Sequence, residues 1–251
     1  MLTPTVSIVI PTHNRGAAFV RALDSALSQT YPISQIVVSD HASTDDTRAI
    51  TESYMERDER IVYYYWDDSI CITENWILGA TFSTGEWIKY VFDDDWLVRT
   101  CVERLLANAN ADTLVSQCGA TFEPSGQVAY SVLPVDWSIP MMVRHGMLSV
   151  SPVTAIHERR ALFTTFDMAA ELLSERSFQS GVGPNVLMNY GLVVADERLH
   201  RHTPEVLVRL GGDDLPGEAR SLTSRLRESD PELLYGEHSA AYDVLDRLAG
   251  A

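Results

Sequence analysis

Cysteine is nearly absent. Cys71, Cys101 and Cys118 are the only three in 251 residues, an odd and widely spaced set that offers neither a disulfide framework nor the paired ligands of a structural zinc site. They read as buried thiols in a reducing compartment. Cations are scarce too: 19 Lys and Arg stand against 35 Asp and Glu, a net charge of -16. No basic cluster offsets it, so phosphate backbones and anionic lipid are repelled. No nucleic acid partner is expected, and at most peripheral membrane contact. There is no uninterrupted apolar run of about 18 residues, and "MLTPTVSIVIPTHNR" has no basic segment leading an apolar one. The expectation is a soluble, cytoplasmic protein. The first apolar strand is not followed by G-x-G-x-x-G, and G-x-x-x-x-G-K-[ST] is missing. A dinucleotide site of the usual kind and a P-loop are thereby excluded. No internal repeat, low-complexity segment or linker rich in Pro, Gly or Ser divides the chain, which reads as one domain over 1–251.

What the chain has is core-forming material, 45% hydrophobic residues. "VSIVI" is a β-branched run closed by Pro11, after which Phe19, Leu23, Ala26 and Leu27 recur at helical spacing. "QIVVS" repeats the strand signal and ends at Asp40; Ser43 and Asp46 then predict a capping box for a helix carrying Ile50 and Tyr54. "IVYYYW", "WIKYVF" and "TLVSQC" supply further strands, with helices over "ENWILGATF" and from near Leu97 through Val98, Cys101, Val102 and Leu105. Apolar strands separated by helices predict an α/β fold, a mostly parallel, Rossmann-like sheet covered on both faces. Beyond residue 119 the pattern loosens. A hairpin is expected around Ser125-Gly126, a strand entering a helix in "SPVTAIHERRAL", a helix entering a strand in "NVLMNYGLVVA", and a helical acidic tail with Tyr242, Leu245 and Leu248 on one face.

Ligands of open parallel sheets bind beyond the carboxyl ends of the strands. Three strands end there in polar residues: Thr12, His13, Asn14 and Arg15; Asp40 and His41; and Asp93, Asp94 and Asp95 in "WIKYVFDDDWLV". Three consecutive carboxylates at the mouth of a core repel one another and lose hydration. A divalent cation reverses the sign of that interaction, and Mn²⁺ or Mg²⁺ binds through one or two carboxylates, completing its shell with water and phosphate oxygens. The competing structural reading has the aspartates capping the helix that starts near Leu97. Tyr63, Tyr64, Tyr65 and Trp66 read mainly as core, and Trp76 and Trp96, on short helices, as either packing or binding residues.

"VSIVIPTHNR", "LDSALSQTYPISQIVVSDHASTDDT" and "GATFSTGEWIKYVFDDDW" resemble, in order and spacing, the nucleotide-sugar-binding half of family 2 glycosyltransferases with the GT-A fold. The resemblance covers about residues 5–110; it implies a nucleotide-sugar-binding half at about 5–118, with weaker echoes through an acceptor half at about 119–215 and a helical tail at about 216–251. It implies a nucleoside diphosphate sugar donor, UDP-linked, with a glycan, lipid-linked or small-molecule acceptor, in glycan or polysaccharide biosynthesis. Pro11 and Thr12 match the segment along the base, Asp40 the aspartate that hydrogen-bonds the base, and Asp93 a residue facing the ribose. Asp94 and Asp95 match the metal-binding end of the DXD motif, with Asp93 and Asp95 the favoured ligands. Asn14 and Arg15 stand near the donor, and Arg15 is left to help neutralise the diphosphate.

The departures lie later. Glu74 occupies a position where the family often has a cation. Asn185 falls where inverting members carry the general base, and an amide cannot take that proton; Asp167, Glu171 and Glu175 are the nearby substitutes. Glycine in "VRLGGDD" stands where a late metal-binding histidine is expected, leaving His200 and His202, of which His202 is the third-ligand candidate. The alternative to a metal-dependent, inverting transferase is a nucleotide-sugar binder of the same fold that has lost its base. A nucleotidyltransferase is disfavoured because its Gly-rich N-terminal loop is missing.

Overall fold

A computed structural model describes residues 3–67, 70–130, 151–173, 182–194, 196–212 and 227–249. Strand β1 (Val6–Thr12) is buried along its whole length. It lies inside the sheet between parallel neighbours β2 (Gln35–His41) and β4 (Trp87–Tyr90), with β3 (Ile61–Trp66) outside β2. Ile8 and Ile10 pack with Phe19 and Leu23 of α1 (Gly16–Leu27), whereas Val9 packs with Trp76 and Ala80 of α3 (Ile72–Thr81). A strand with helices on both sides has no wet face, which is why its sequence runs apolar rather than alternating.

Among the described residues the sheet has nine strands, in the order β3-β2-β1-β4-β8 (Ala155–Glu158)-β6 (Val115–Phe122)-β9 (His200–Leu210)-β5 (Trp96–Leu97), with β7 (Gln127–Tyr130) paired to β6. Its first half is wholly parallel. Strand β8 (Ala155–Glu158) then enters antiparallel between β4 and β6 (Val115–Phe122). β6 again runs with β4, parallel to β9 (His200–Leu210), and the two-residue β5 (Trp96–Leu97) closes the edge. The fold class is therefore the expected α/β with a mostly parallel sheet, but "TLVSQC" does not sit beside β4. The hairpin forms as expected: β6 turns through Gly126, at φ +67°, into β7 (Gln127–Tyr130). "SPVTAIHERRAL" supplies β8 and α5 (Arg159–Leu173).

Several local expectations fail, each for a tertiary reason. Ser43 and Asp46 make no capping box. The Ser43 hydroxyl accepts from the Asn14 N–H (2.8 Å), and α2 (Thr47–Met55) begins where Asp45 accepts from the Thr47 N–H (3.0 Å). The helix expected from Leu97 starts only at Cys101, as α4 (Cys101–Asn108), because Trp96 and Leu97 are drawn into pairing with Arg209 and Val208. Trp96 thus sits on a strand, under the Arg21 guanidinium (4.4 Å). α6 (Val182–Tyr190) is followed by turns, and the strand expected at "LVVA" begins only at His200. Cys71, read as buried, is exposed at the start of α3. The C-terminal α7 (Pro231–Ala249) packs Tyr242, Leu245 and Leu248 toward Val186 and Tyr190 of α6, as its pattern predicts.

Between β6, β8, β9 and α6 lies a buried polar network. His157 bonds the Asn189 side chain (2.9 Å), and Gln117 Oε1 accepts from Tyr190 (2.9 Å) and faces His200 Nε2 (3.2 Å). Burial depresses both imidazoles, His157 to about 4 and His200 to about 3. A folded value below the ordinary 6.5 means that the unfolded chain takes up protons first as the medium acidifies. Each histidine therefore withdraws stability once pH drops below about 6.5, at up to about 1.4 kcal/mol per pH unit. Urea unfolding of His157→Gln between pH 7 and 4.5 should show a smaller acid loss than the wild type; equal slopes would remove His157 from that role.

Candidate active site

The carboxyl ends of β1, β2 and β4 converge on one rim. β1 and β2 run in register to the pair Thr12 and Asp40, and the loops beyond interlock. Asn14, at φ 52°, places its Oδ1 to accept from the Thr44 N–H (2.8 Å). Nδ1 of His13 meets the His41 carbonyl, with the two rings 5.3 Å apart. Pro11 and Thr12 are buried strand residues beneath this rim. Asp40 is fully buried; its Oδ2 accepts from Tyr63 (2.6 Å) and its Oδ1 from the Ser43 N–H (3.0 Å). Both carboxylate oxygens are thus oriented by the protein. Burial and the bond to Asp40 raise the Tyr63 phenol above its ordinary value.

The aspartate triplet occupies a turn closed by the Asp95 N–H on the Phe92 carbonyl (3.0 Å). All three side chains are buried, at 8%, 8% and 5% exposure. Asp93 Oδ2 accepts from the His13 N–H (3.1 Å), and Arg15 reaches Asp93 Oδ1 (3.3 Å) and Asp94 Oδ2 (3.6 Å). Asp95 Oδ1 accepts from the Gly211 N–H (2.9 Å). Burial pushes Asp93 up to about 7, against the pull of Arg15, and holds Asp95 well above the usual carboxylate range, with Asp94 adding to the rise. A helix dipole offers about 0.3–1 kcal/mol to an acidic residue at its N-terminus, whereas desolvating an ion costs several kcal/mol. With α4 starting at Cys101, capping does not account for the triplet.

The donor atoms are all hard oxygens, two of the carboxyls are strongly raised, and Arg15 is the cation ion-paired to the group. These residues fit a divalent cation, which needs only one or two carboxylates. Among the described residues, no three His, Cys, Asp or Glu side chains converge as a ready-made metal centre. His202 is not brought to the triplet: it pairs with Gln117, four β6 positions before Thr121, the partner of Arg209, which is roughly 13 Å along the sheet at about 3.3 Å per residue. His200 is a buried partner of Gln117. Gly211 does lie beside the triplet, but a Cβ there would come within 2.0 Å of the Asp94 carbonyl oxygen, so no side chain fits.

The aromatic residues divide. Tyr63 and Tyr64 pack on the core, Tyr65 is exposed with the Arg48 guanidinium 4.5 Å over its ring, and Trp66 stacks near Tyr64 and bonds Ser39 (2.9 Å). Trp76 is buried against Phe92 (5.0 Å), which makes it packing that supports the triplet from behind. Glu74 has a local reason to be acidic: its carboxylate accepts from the Cys71 N–H (2.6 Å) at the start of α3.

Farther along the chain, Asn185 lies in the first turns of α6, whose Met188 joins the cluster containing Trp76 and Phe92. Its Oδ1 is buried without a partner among the described residues. Asp167 is exposed on α5; the side chain of Glu171 and all of Glu175 lie outside the described residues. Sequence reasoning missed Lys89, which is fully buried beneath the triplet. A charged residue inside "WIKYVF" was the available signal.

Residues 7–149 match the family described as glycosyl transferase family 2. The chain belongs to that family. A GalNAc(5)-diNAcBac-PP-undecaprenol beta-1,3-glucosyltransferase of Campylobacter jejuni is 28% identical over 115 residues, 43% of this chain and 35% of the relative. Glycosyltransferase GlyG of Streptococcus pneumoniae is 24% identical over 141 residues, 55% of this chain and 47% of the relative. The chain thus spans less than half of either relative. Among solved structures, S. aureus TarS 1-349 in complex with UDP superposes with a TM-score of 0.64 at 16% identity, covering 97% of this chain and 71% of that one. The mannosyltransferase PcManGT from Pyrobaculum calidifontis, in complex with GDP-Man and Mn2+, gives 0.55 at 14% identity, covering 98% and 74%. These likenesses establish the GT-A-type fold.

Two expectations follow from the rim. Because Asp93 has a folded value near 7 against 3.8 unfolded, its contribution is complete below about pH 4 and is lost as pH rises through 7. Metal-free Asp93→Asn should therefore lose less stability than the wild type between pH 6 and 8 in thermal unfolding; parallel curves would contradict this. Gly211→Ala should destabilise by about 1–3 kcal/mol, the usual cost of overpacking, and a urea midpoint equal to the wild type would refute the close approach.

Proposed function

We propose that this chain is the donor-binding and catalytic region of a metal-dependent, inverting glycosyltransferase that takes a sugar from a nucleoside diphosphate sugar, UDP-linked, and passes it to a hydroxyl of a glycan, lipid-linked or small-molecule acceptor. The observation that carries the reading is the buried aspartate triplet at the rim shared with Thr12, Arg15 and Asp40. Family membership supports it, as do the names of relatives that act on nucleotide sugars or lipid-linked glycans.

In this reading Pro11 and Thr12 line the base and Asp40, oriented by Tyr63 and Ser43, accepts a hydrogen bond from it. Asp93 faces the ribose. Arg15, held at the rim by its ion pairs, lies where it can meet diphosphate oxygens. Asp93 and Asp95, with Asp94 beside them, would hold Mn²⁺ or Mg²⁺, which when bound acts as a Lewis acid on the departing diphosphate. The rim residues fix the leaving group on one side, so a hydroxyl entering from the opposite side attacks the anomeric carbon in line, and one displacement inverts its configuration. Asp167, Glu171 and Glu175 are the carboxylates available near Asn185 to receive the hydroxyl proton. Glycan or polysaccharide biosynthesis and a cytoplasmic location are consistent with this role. Among the described residues no helix is long and apolar enough to cross a membrane.

Asn185, an amide where the resemblance expects the general base, supports a second reading, a nucleotide-sugar binder without transfer. The two readings separate in one assay. UDP with Mn²⁺ should raise the melting temperature under either, whereas release of UDP from a UDP-sugar is expected only of the enzyme. Asp93→Ala with Asp95→Ala should abolish that release, lowering kcat more than it raises KM, with the fold retained. Unchanged turnover in the double variant would reject the site.

A further inference from the structure

Asp40 lies near the end of β2 at the rim and is held by two donors from different segments. The Tyr63 hydroxyl donates to its Oδ2 (2.6 Å), and the Ser43 N–H to its Oδ1 (3.0 Å). Tyr63 pairs with Val38, two positions short of Asp40, so the phenol slants along the sheet to reach the carboxylate. Its proton has a fixed direction. Arg48 of α2 donates its Nε–H to the phenol oxygen (3.4 Å), and its guanidinium lies 4.5 Å over the ring of Tyr65, on the same face of β3 as Tyr63. With that oxygen already accepting from Arg48, its own O–H is turned toward Asp40.

Both oxygens of Asp40 accept from the protein, so the side chain meets a ligand at the rim as an acceptor, with a second lone-pair position on each oxygen still to offer. The loop beside it is held too, because the Ser43 hydroxyl accepts from the Asn14 N–H (2.8 Å). The two pyrimidines differ at the atom such an acceptor would meet. Uracil carries N3–H, a donor between two carbonyls, whereas N3 of cytosine is a bare acceptor. An acceptor facing an acceptor leaves both unpaired away from water, and a site built for a hydrogen bond rejects a ligand without it far more strongly than one lacking a methylene. A phenylalanine at position 63 would fill the same space but leave Oδ2 without its donor, and the carboxylate free to turn.

We propose that Tyr63, with Arg48 behind it, is a positioning residue that sets base selectivity: it fixes Asp40 as an acceptor and so selects uracil over cytosine in the donor nucleotide. This inference rests on the glycosyltransferase reading and on the contact between Asp40 and the base within it; the chain of hydrogen bonds from Arg48 through Tyr63 to Asp40 does not.

Calorimetric titration with UDP and with CDP, each in the presence of Mn²⁺, should show the wild type binding UDP about tenfold or more tightly, the worth of one hydrogen bond to a charged group. Tyr63→Phe, with unchanged circular dichroism, should lower that ratio about fivefold or more, by weakening UDP rather than CDP. A residue that only supported the fold would weaken both nucleotides alike. An unchanged ratio in Tyr63→Phe therefore overturns the proposal, as does a wild type that does not distinguish the two. One measurement needs no variant and so stands even if Tyr63→Phe does not fold: UDP methylated at N3 keeps both carbonyls but loses the donor, and should bind the wild type no more tightly than CDP. Tighter binding would refute the acceptor role of Asp40 on which the proposal depends. If the wild type binds neither UDP nor CDP, the glycosyltransferase reading falls and this inference with it; if UDP is preferred equally by the wild type and Tyr63→Phe, the role of Tyr63 falls alone.

Discussion

Three carboxylates in one buried turn set the terms for the rest of this structure. Asp93, Asp94 and Asp95 cannot all be ionised in a desolvated pocket without cations, and Arg15 ion-pairs Asp93 and Asp94 at the rim. Burial lifts Asp93 and Asp95 out of the usual carboxylate range. In the proposed reading, this crowding of buried carboxylates favours a divalent ion together with an anionic diphosphate, a local loss of stability of the kind functional sites show.

The sheet makes that concession possible. β1, β2 and β4 are parallel, so their carboxyl ends rise to one edge, and the helices on both faces protect strands that have no polar side. Trp76 against Phe92 and Gly211 against Asp94 seal the triplet from two directions. Farther along the sheet, the turn before β8 is clamped to β4 and β6 through Lys89, Gln117 and Cys118. A shift of that turn would be felt in β4 directly, through the Val153 carbonyl.

Much of the fold over residues 5–118 is legible in the sequence. Apolar runs ending in Thr12, Asp40 and Asp93 predict parallel strands and the edge where ligands gather, since the period of a strand and the chemistry at its end are local properties. The errors share one cause. Ser43 looked like a cap and instead holds Asn14; Leu97 looked helical and instead pairs with Val208; His202 looked like a metal ligand and lies low on β9. Each depended on a partner distant in the chain. The chain past residue 119 is harder to read because β8 enters between β4 and β6 in the opposite direction, and short strands with antiparallel and parallel neighbours leave no clean periodicity.

By itself, the order of residues determined an α/β chain with three acidic or polar strand ends, because hydrophobic periodicity and like-charge crowding act over a few residues. Tertiary structure alone decided which carboxylates Arg15 serves, why position 211 has no side chain, that the Asn185 Oδ1 is buried without a partner among the described residues, and that the single lysine is fully buried. Those are matters of distance and desolvation between segments as many as 116 residues apart, which no local pattern encodes.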